Sequence, residues 1–132
     1  MAPAKHTKGD LIALLKAAKE AGTNAGNKRI SDLASNVTPN GKLLEACGNS
    51  TLRLDVDGRT SLGKLLASLN EQDILISKDH GGGFLVHFRY DLDVIPPVNG
   101  QEYSIEYEAD KAAAKIIEEG LSIKAFALPY IN

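Results

Sequence analysis

Residues 62–88 read LGKLLASLNEQDILISKDHGGGFLVHF, and this stretch decides the fold. Leu62, Leu65, Leu66 and Leu69 recur at helical spacing behind Thr60 and Ser61, two hydroxyl residues that cap free helix N–H groups. Residues 73–78 and 84–95 are rich in strand-forming side chains. Asp79-His80-Gly81-Gly82-Gly83 separates them, and a glycine-rich tip permits the positive φ angles of a tight hairpin. In the second run Phe84, Val86, Phe88, Tyr90, Leu92 and Val94 share one face, and His87, Arg89, Asp91 and Asp93 the other. The reading is a helix followed by a glycine-tipped β-hairpin.

Working backward, residues 51–57 (TLRLDVD) alternate strictly, with Leu52, Leu54 and Val56 inward, as in a half-exposed strand. Upstream, Thr7 and Asp10 form a capping-box pattern, and Leu11, Leu14, Leu15 and Ala18 predict a helix that Gly22 closes. Residues 23–27 (TNAGN) read as a loop. Ile30, Leu33, Ala34 and Val37 predict a second helix, and Leu43, Leu44 and Cys47 a third that starts at Thr38-Pro39 and stops at Gly48.

Working forward, Pro96-Pro97 ends the strand and Asn99-Gly100 turns the chain. Residues 102–108 alternate Tyr103, Ile105 and Tyr107 against Glu102, Glu106 and Glu108, which predicts a returning strand. Asp110 is then the cap of a last helix ending at Gly120, and residues 122–128 form a closing strand. Together these elements predict an α+β fold, a mainly helical N-terminal half packed on a small antiparallel sheet. The 132 residues suit one domain: 1–6 a tail, 7–95 the helices and hairpin, 96–132 the strand, helix and strand that complete the sheet.

Composition narrows the function. The chain is 43% apolar and 24% charged, which excludes a wholly disordered chain. No apolar run nears the ~20 residues of a membrane span, and residues 1–10 lack the apolar core of a signal peptide. The lone Cys47 has no internal disulfide partner, so a reducing, cytoplasmic setting (or a virion, for a phage protein) is expected. Residues 1–64 hold ten Lys/Arg against six Asp/Glu, and residues 65–132 hold five against eleven. A basic first half of +4 and an acidic second half of −6 point to an anionic partner for the former and to protein contact for the latter.

Residues 62–88, with the helices around Leu33, Ala34, Val37, Leu44 and Cys47, resemble winged-helix domains over residues 10–90. The resemblance implies a nucleic-acid-binding module in which a helix enters the major groove and cations of the wing and loops touch phosphates. On this chain Lys28, Arg29, Lys42, Arg59, Lys64 and Lys78 are the candidate phosphate contacts for DNA or RNA, with affinity that falls as salt rises. The Tyr and Phe side chains fall almost wholly on inward faces, which argues against a single-strand stacking platform.

Catalytic patterns are poor. His6, His80 and His87 have no metal-ligand spacing. Gly81-Gly82-Gly83 lacks the Lys-Ser/Thr of a phosphate loop, and Asp91 with Asp93 lies on the wet side of a strand. No enzyme, cofactor or metal is expected. The alternative function is an assembly or adaptor subunit, such as a viral or phage accessory protein, that associates through the acidic row Glu102, Glu106, Glu108, Asp91 and Asp93.

Overall fold

The structure, a computed structural model, describes residues 7–35, 48–95, 98 and 102–131. It is an α+β fold with α1 (Lys8–Ser35), β1 (Gly48–Leu54), α2 (Ser61–Ser68), β2 (Ile74–Lys78), β3 (Phe84–Phe88), α3 (Tyr103–Leu121) and β4 (Ala125–Ile131). The four strands form one antiparallel sheet in the order β2-β3-β1-β4. The expected tail, the third helix over 39–47, Lys42 and Cys47 lie outside the described residues.

The central prediction holds. Thr60 caps α2, its hydroxyl accepting from the Gly63 N–H at 3.0 Å. The β2–β3 hairpin closes through Asp79 N–H to Gly83 O (3.1 Å) and Gly82 N–H to Asp79 O (3.0 Å), with Gly82 and Gly83 at φ 94° and 82°. That left-handed backbone is what the glycine run was expected to supply.

Four boundaries differ from the sequence reading. First, α1 is one unbroken 28-residue helix, not helix–loop–helix. Its buried residues Leu11, Leu15, Ala18, Gly22, Gly26, Ile30 and Leu33 follow one stripe that continues through the expected loop. Gly22 and Gly26 are where α3 and the segment after β3 come closest: a Cβ on Gly22 would sit 2.9 Å from the Ala109 carbonyl oxygen. Thr23 and Asn27, read as turn residues, instead hold residues 91–93: the Asp93 N–H donates to Asn27 Oδ1 (2.8 Å) and the Asn27 amide to the Asp91 carbonyl (3.3 Å).

Those bonds also explain the second difference. β3 stops at Phe88 rather than running to 95, because α1 side chains take over the backbone partners at 91 and 93. Third, residues 102–108 open α3 instead of forming a strand. The alternation there competes with the longer helical series Ile105, Ala109, Ala113, Ile117 and Leu121, all buried, and the longer series wins. Asp110 is therefore interior to α3, and Ser122 in the left-handed conformation ends the helix. Fourth, β1 and β4 sit three residues away from their expected spans: β1 starts at Gly48 and β4 ends at Ile131, paired end to end.

The helices cover one face of the sheet. α1 and α3 run antiparallel: Arg29 bonds Ser104 at one end, and Leu14 packs where a Gly120 Cβ would be at the other. The main core joins Leu11, Leu15 and Ala18 of α1 and Ala113, Ile117 and Leu121 of α3 to Leu52, Leu54, Phe84, Val86 and Phe88 of the sheet. A smaller cluster of Ile30, Leu33, Val98 and Ile105 closes the other end. Among the described residues, no helix is long and apolar enough to cross a membrane.

Candidate functional site

The candidate cations do not form one surface. Arg29 Nε donates to Ser104 Oγ at 2.7 Å, which places Lys28 and Arg29 beside the start of α3. Arg59, Lys64 and Lys78 lie where β1 ends, α2 begins and the hairpin turns, beyond the far end of α3. The 19 residues of α3 span ~28 Å between the two groups. Lys42 lies outside the described residues.

At the hairpin end, carboxylates interleave with the cations. Arg59 and Lys78 line one shallow cleft with Asp57, Asp79 and Gly82. Arg59 grips Asp57 in two places, Nη2 to Oδ2 at 2.8 Å and Nε to Oδ1 at 3.1 Å. This guanidinium pulls the Asp57 carboxyl down to about 2, and the carboxylate in turn raises Arg59. Arg53 Nε stands 3.2 Å from Asp79, and its Nη2 donates to Gly82 O at 2.6 Å. Counting Asp55, four cations face three carboxylates, a net of one positive charge.

A buried polar cluster lies between α3 and the sheet, and no local pattern signals it, because Asp110 reads as a helix cap. β1 and β3 pair only at residues 52–54 and 84–86. Beyond that, Glu106 and Asp110, one helical turn apart, approach Ser50 and Tyr90. The Tyr90 hydroxyl donates to Asp110 Oδ1 at 2.5 Å. Burial pushes the Asp110 carboxyl up, partly offset by the Tyr90 and Ser50 hydroxyls. Burial also raises Glu106, helped by the Asp110 charge and opposed by His87, whose Nδ1 is 3.9 Å away. Burial and then Asp110 raise the Tyr90 phenol in the same way. Among the described residues no group of three or more His, Cys, Asp or Glu is arranged to hold a metal ion.

The acidic row expected as a contact surface is not one surface. Glu102 is 1% exposed, Glu106 belongs to the cluster just described, and Asp91 is bridged by Lys19 at 3.4 Å.

The sheet face opposite the helices carries the largest unexpected feature. Arg53 pairs with Leu85 and Phe126, and Thr51 with Leu128. Residues directly opposite share a face, so Phe126, Leu128 and Tyr130 of β4 project away from Leu52 and Leu54, with Leu85 and Leu75 farther across. Phe126 is 43% exposed, Leu128 40%, Tyr130 49% and Leu75 68%. Sequence reasoning placed the aromatics inward. The structure reverses this in β4 because Ala125 and Ala127 occupy the helix side, where α3 packs close, and the large side chains take the other parity.

Each sheet edge loses part of its row of backbone donors. The Asp55 N–H donates to Lys124 O at 2.9 Å, and by alternation Phe126, Leu128 and Tyr130 bond β1 while Ala125, Ala127, Pro129 and Ile131 present their backbones to the open edge. Pro129 thus removes an N–H from that edge without costing β1 a partner. On the other edge, the Ile74 N–H turns back to Glu71 O at 3.4 Å. No protein-family model, curated protein or solved structure matches the chain.

Proposed function

We propose that the chain is a protein-contact module, an assembly or adaptor subunit that meets its partner through the uncovered face of the sheet. The observation that carries this reading is the exposed row Phe126, Leu128 and Tyr130, in a strand (AFALPYI) with no charged residue. Exposed contiguous apolar surface is costly to leave in water and marks interaction sites, and aromatic side chains anchor interfaces. The acidic row is replaced in this reading by the sheet face.

A photo-crosslinking amino acid at position 128 tests it in cells that make the full chain. A discrete adduct from position 128, and none from His80 at the hairpin tip, is the expected result. Adducts from 80 alone would overturn the reading.

A second reading, the nucleic-acid module, is favoured by the convergence of Arg59, Lys64 and Lys78 on the first turn of α2 beside the glycine-tipped hairpin. Exposed N–H groups at a helix start add to the local positive field. On this reading Lys64→Glu with Lys78→Glu abolishes retention on double-stranded DNA and RNA at low salt, and Lys28→Glu has little effect. Titration at two salt concentrations checks it: binding that is absent, or indifferent to salt, removes the reading.

A further inference from the structure

We infer that Glu106 is a charge-dependent latch in the sheet: its carboxylate holds β1 and β3 apart where their pairing stops, and loss of its charge lets the two strands pair further. The latch goes beyond the contact reading and stands without it.

The geometry begins with an unfinished ladder. β1 pairs with β4 from Gly48 to Leu54, and β3 pairs with β2 from Phe84 to Phe88. Yet β1 and β3 pair with each other only over 52–54 and 84–86. Continued by two residues, that register sets Ser50 opposite Phe88. The Asp55 N–H donates to Lys124 O, so by alternation the odd residues of β1 bond β4, and the even ones, Ser50 included, turn their N–H and C=O toward β3. Phe84, Val86 and Phe88 turn theirs toward β1 in the same way. A continued ladder would close two N–H···O bonds between Ser50 and Phe88.

Glu106 takes that place instead. From the first turn of α3 its carboxylate accepts from the Ser50 N–H, and His87 Nδ1 lies 3.9 Å away on the other strand. One charged side chain thus bridges the two strands where the ladder does not. The charge is what makes it hold. A hydrogen bond to a carboxylate is roughly twice as strong as one between neutral groups, and the attraction to His87 needs the carboxylate. Once the carboxyl is protonated both contacts weaken. The backbone groups of Ser50 and Phe88, which must find partners when buried, then close two ladder bonds in place of the one to Glu106.

The surroundings favour release in mild acid. On α3, Asp110 lies one turn on and Glu102 one turn back. Tyr90, beyond β3, gives its hydroxyl to Asp110, Arg89 follows His87 on the uncovered side, and Arg29 of α1 is held at Ser104. Burial and the Asp110 charge raise the Glu106 carboxyl, opposed by His87 and the Ser50 N–H, so the charge is lost above the ordinary range of a glutamate. The split lies between the paired rows Leu75–His87 and Thr51–Leu128, and release redraws the middle of the uncovered face.

Nuclear Overhauser contacts across the split, measured on the purified full chain from pH 4 to 8, read the latch. Contacts between residues 50–51 and 87–88 are expected at the acid end and lost at the alkaline end. Glu106→Gln, which keeps the shape without the charge, is expected to show them at both ends. His87→Ala is expected to move the change to higher pH and Asp110→Asn to lower pH, because one removes a positive neighbour of the carboxylate and the other a negative one. A merely structural role for Glu106 produces no such opposite shifts. Should Glu106→Gln misfold, these two variants carry the test. Contacts that are present at every pH, or absent at every pH, overturn the latch, as does a change that the two variants do not move in opposite directions. That failure leaves the position-128 adduct and the contact reading untouched, whereas a missing adduct removes the contact reading and leaves the latch.

Discussion

Gly22→Val lowers the unfolding free energy by about 3 kcal/mol, the upper range for forcing bulk into a packed interior. Helix propensity alone predicts the opposite sign, since glycine costs a helix roughly 0.5–1 kcal/mol relative to alanine. Packing decides the matter. A Cβ on Gly22 would overlap the Tyr90 ring and press the Ala109 carbonyl oxygen at 2.9 Å. Tyr90 cannot swing aside without leaving Asp110, and the carbonyl belongs to the α3 backbone. Gly9, on the same helix but exposed, would meet only Thr7 Oγ1 at 4.0 Å, so Gly9→Ala is expected to stabilise by about 0.5–1 kcal/mol. Urea unfolding of the two variants measures the contrast. A Gly22→Val protein as stable as the parent would mean that α1 and α3 are not in contact there.

The second large effect concerns the polar cluster and depends on pH. Asp110 and Glu106 have carboxyls raised by burial, so the native state holds protons that the unfolded chain releases as pH climbs past the ordinary carboxyl range. Their contribution to stability is therefore complete below about pH 4 and is lost as pH rises through the raised native values. Asp57 acts in the other direction. Its carboxyl, pulled down to about 2 by Arg59, adds stability above its ordinary value that is lost as pH falls toward 2. Stability is thus expected to peak in mildly acidic solution and decline toward neutral.

Two variants isolate the cluster. Asp110→Asn keeps an acceptor for the Tyr90 hydroxyl and removes a buried charge. It is expected to be more stable than the parent at pH 8 and to flatten the decline from pH 4 to 8. Tyr90→Phe deletes the hydroxyl that bonds the Asp110 carboxylate and is expected to cost about 2 kcal/mol at pH 8, and less at pH 4, where the carboxyl is protonated. Denaturant midpoints at the two pH values check both. Equal losses at pH 4 and pH 8 for Tyr90→Phe would show that the Asp110 charge plays no part.

What the sequence made legible follows from how local each signal is. The α2 cap at Thr60, the apolar face of Leu62, Leu65, Leu66 and Leu69, and the glycine tip of the hairpin are set by a few neighbouring residues, and the structure agrees with them. Gly22 and Gly26 misled because a glycine that ends a helix and a glycine that admits a neighbouring helix look alike in sequence; α3, some 80 residues away, decides between them. Residues 102–108 misled because three alternating pairs suit a strand until the helical series running to Leu121 is counted. Phe126 misleads because large apolar residues are expected inward, whereas Ala125 and Ala127 hold the tight side of β4, and Tyr130 lies past the expected end of that strand at Leu128. The six candidate cations follow from charge, from the winged-helix resemblance and from nearness to expected helix starts, and none of these says which end of a helix pair each one occupies.

A photo-crosslinking amino acid walked along β4, in cells that make the full chain, tests the contact face most directly. The account predicts a discrete adduct from positions 126, 128 and 130 and none from positions 125 and 127, which lie on the helix side. Adducts confined to the hairpin tip at 79–83, or none from β4, would contradict it.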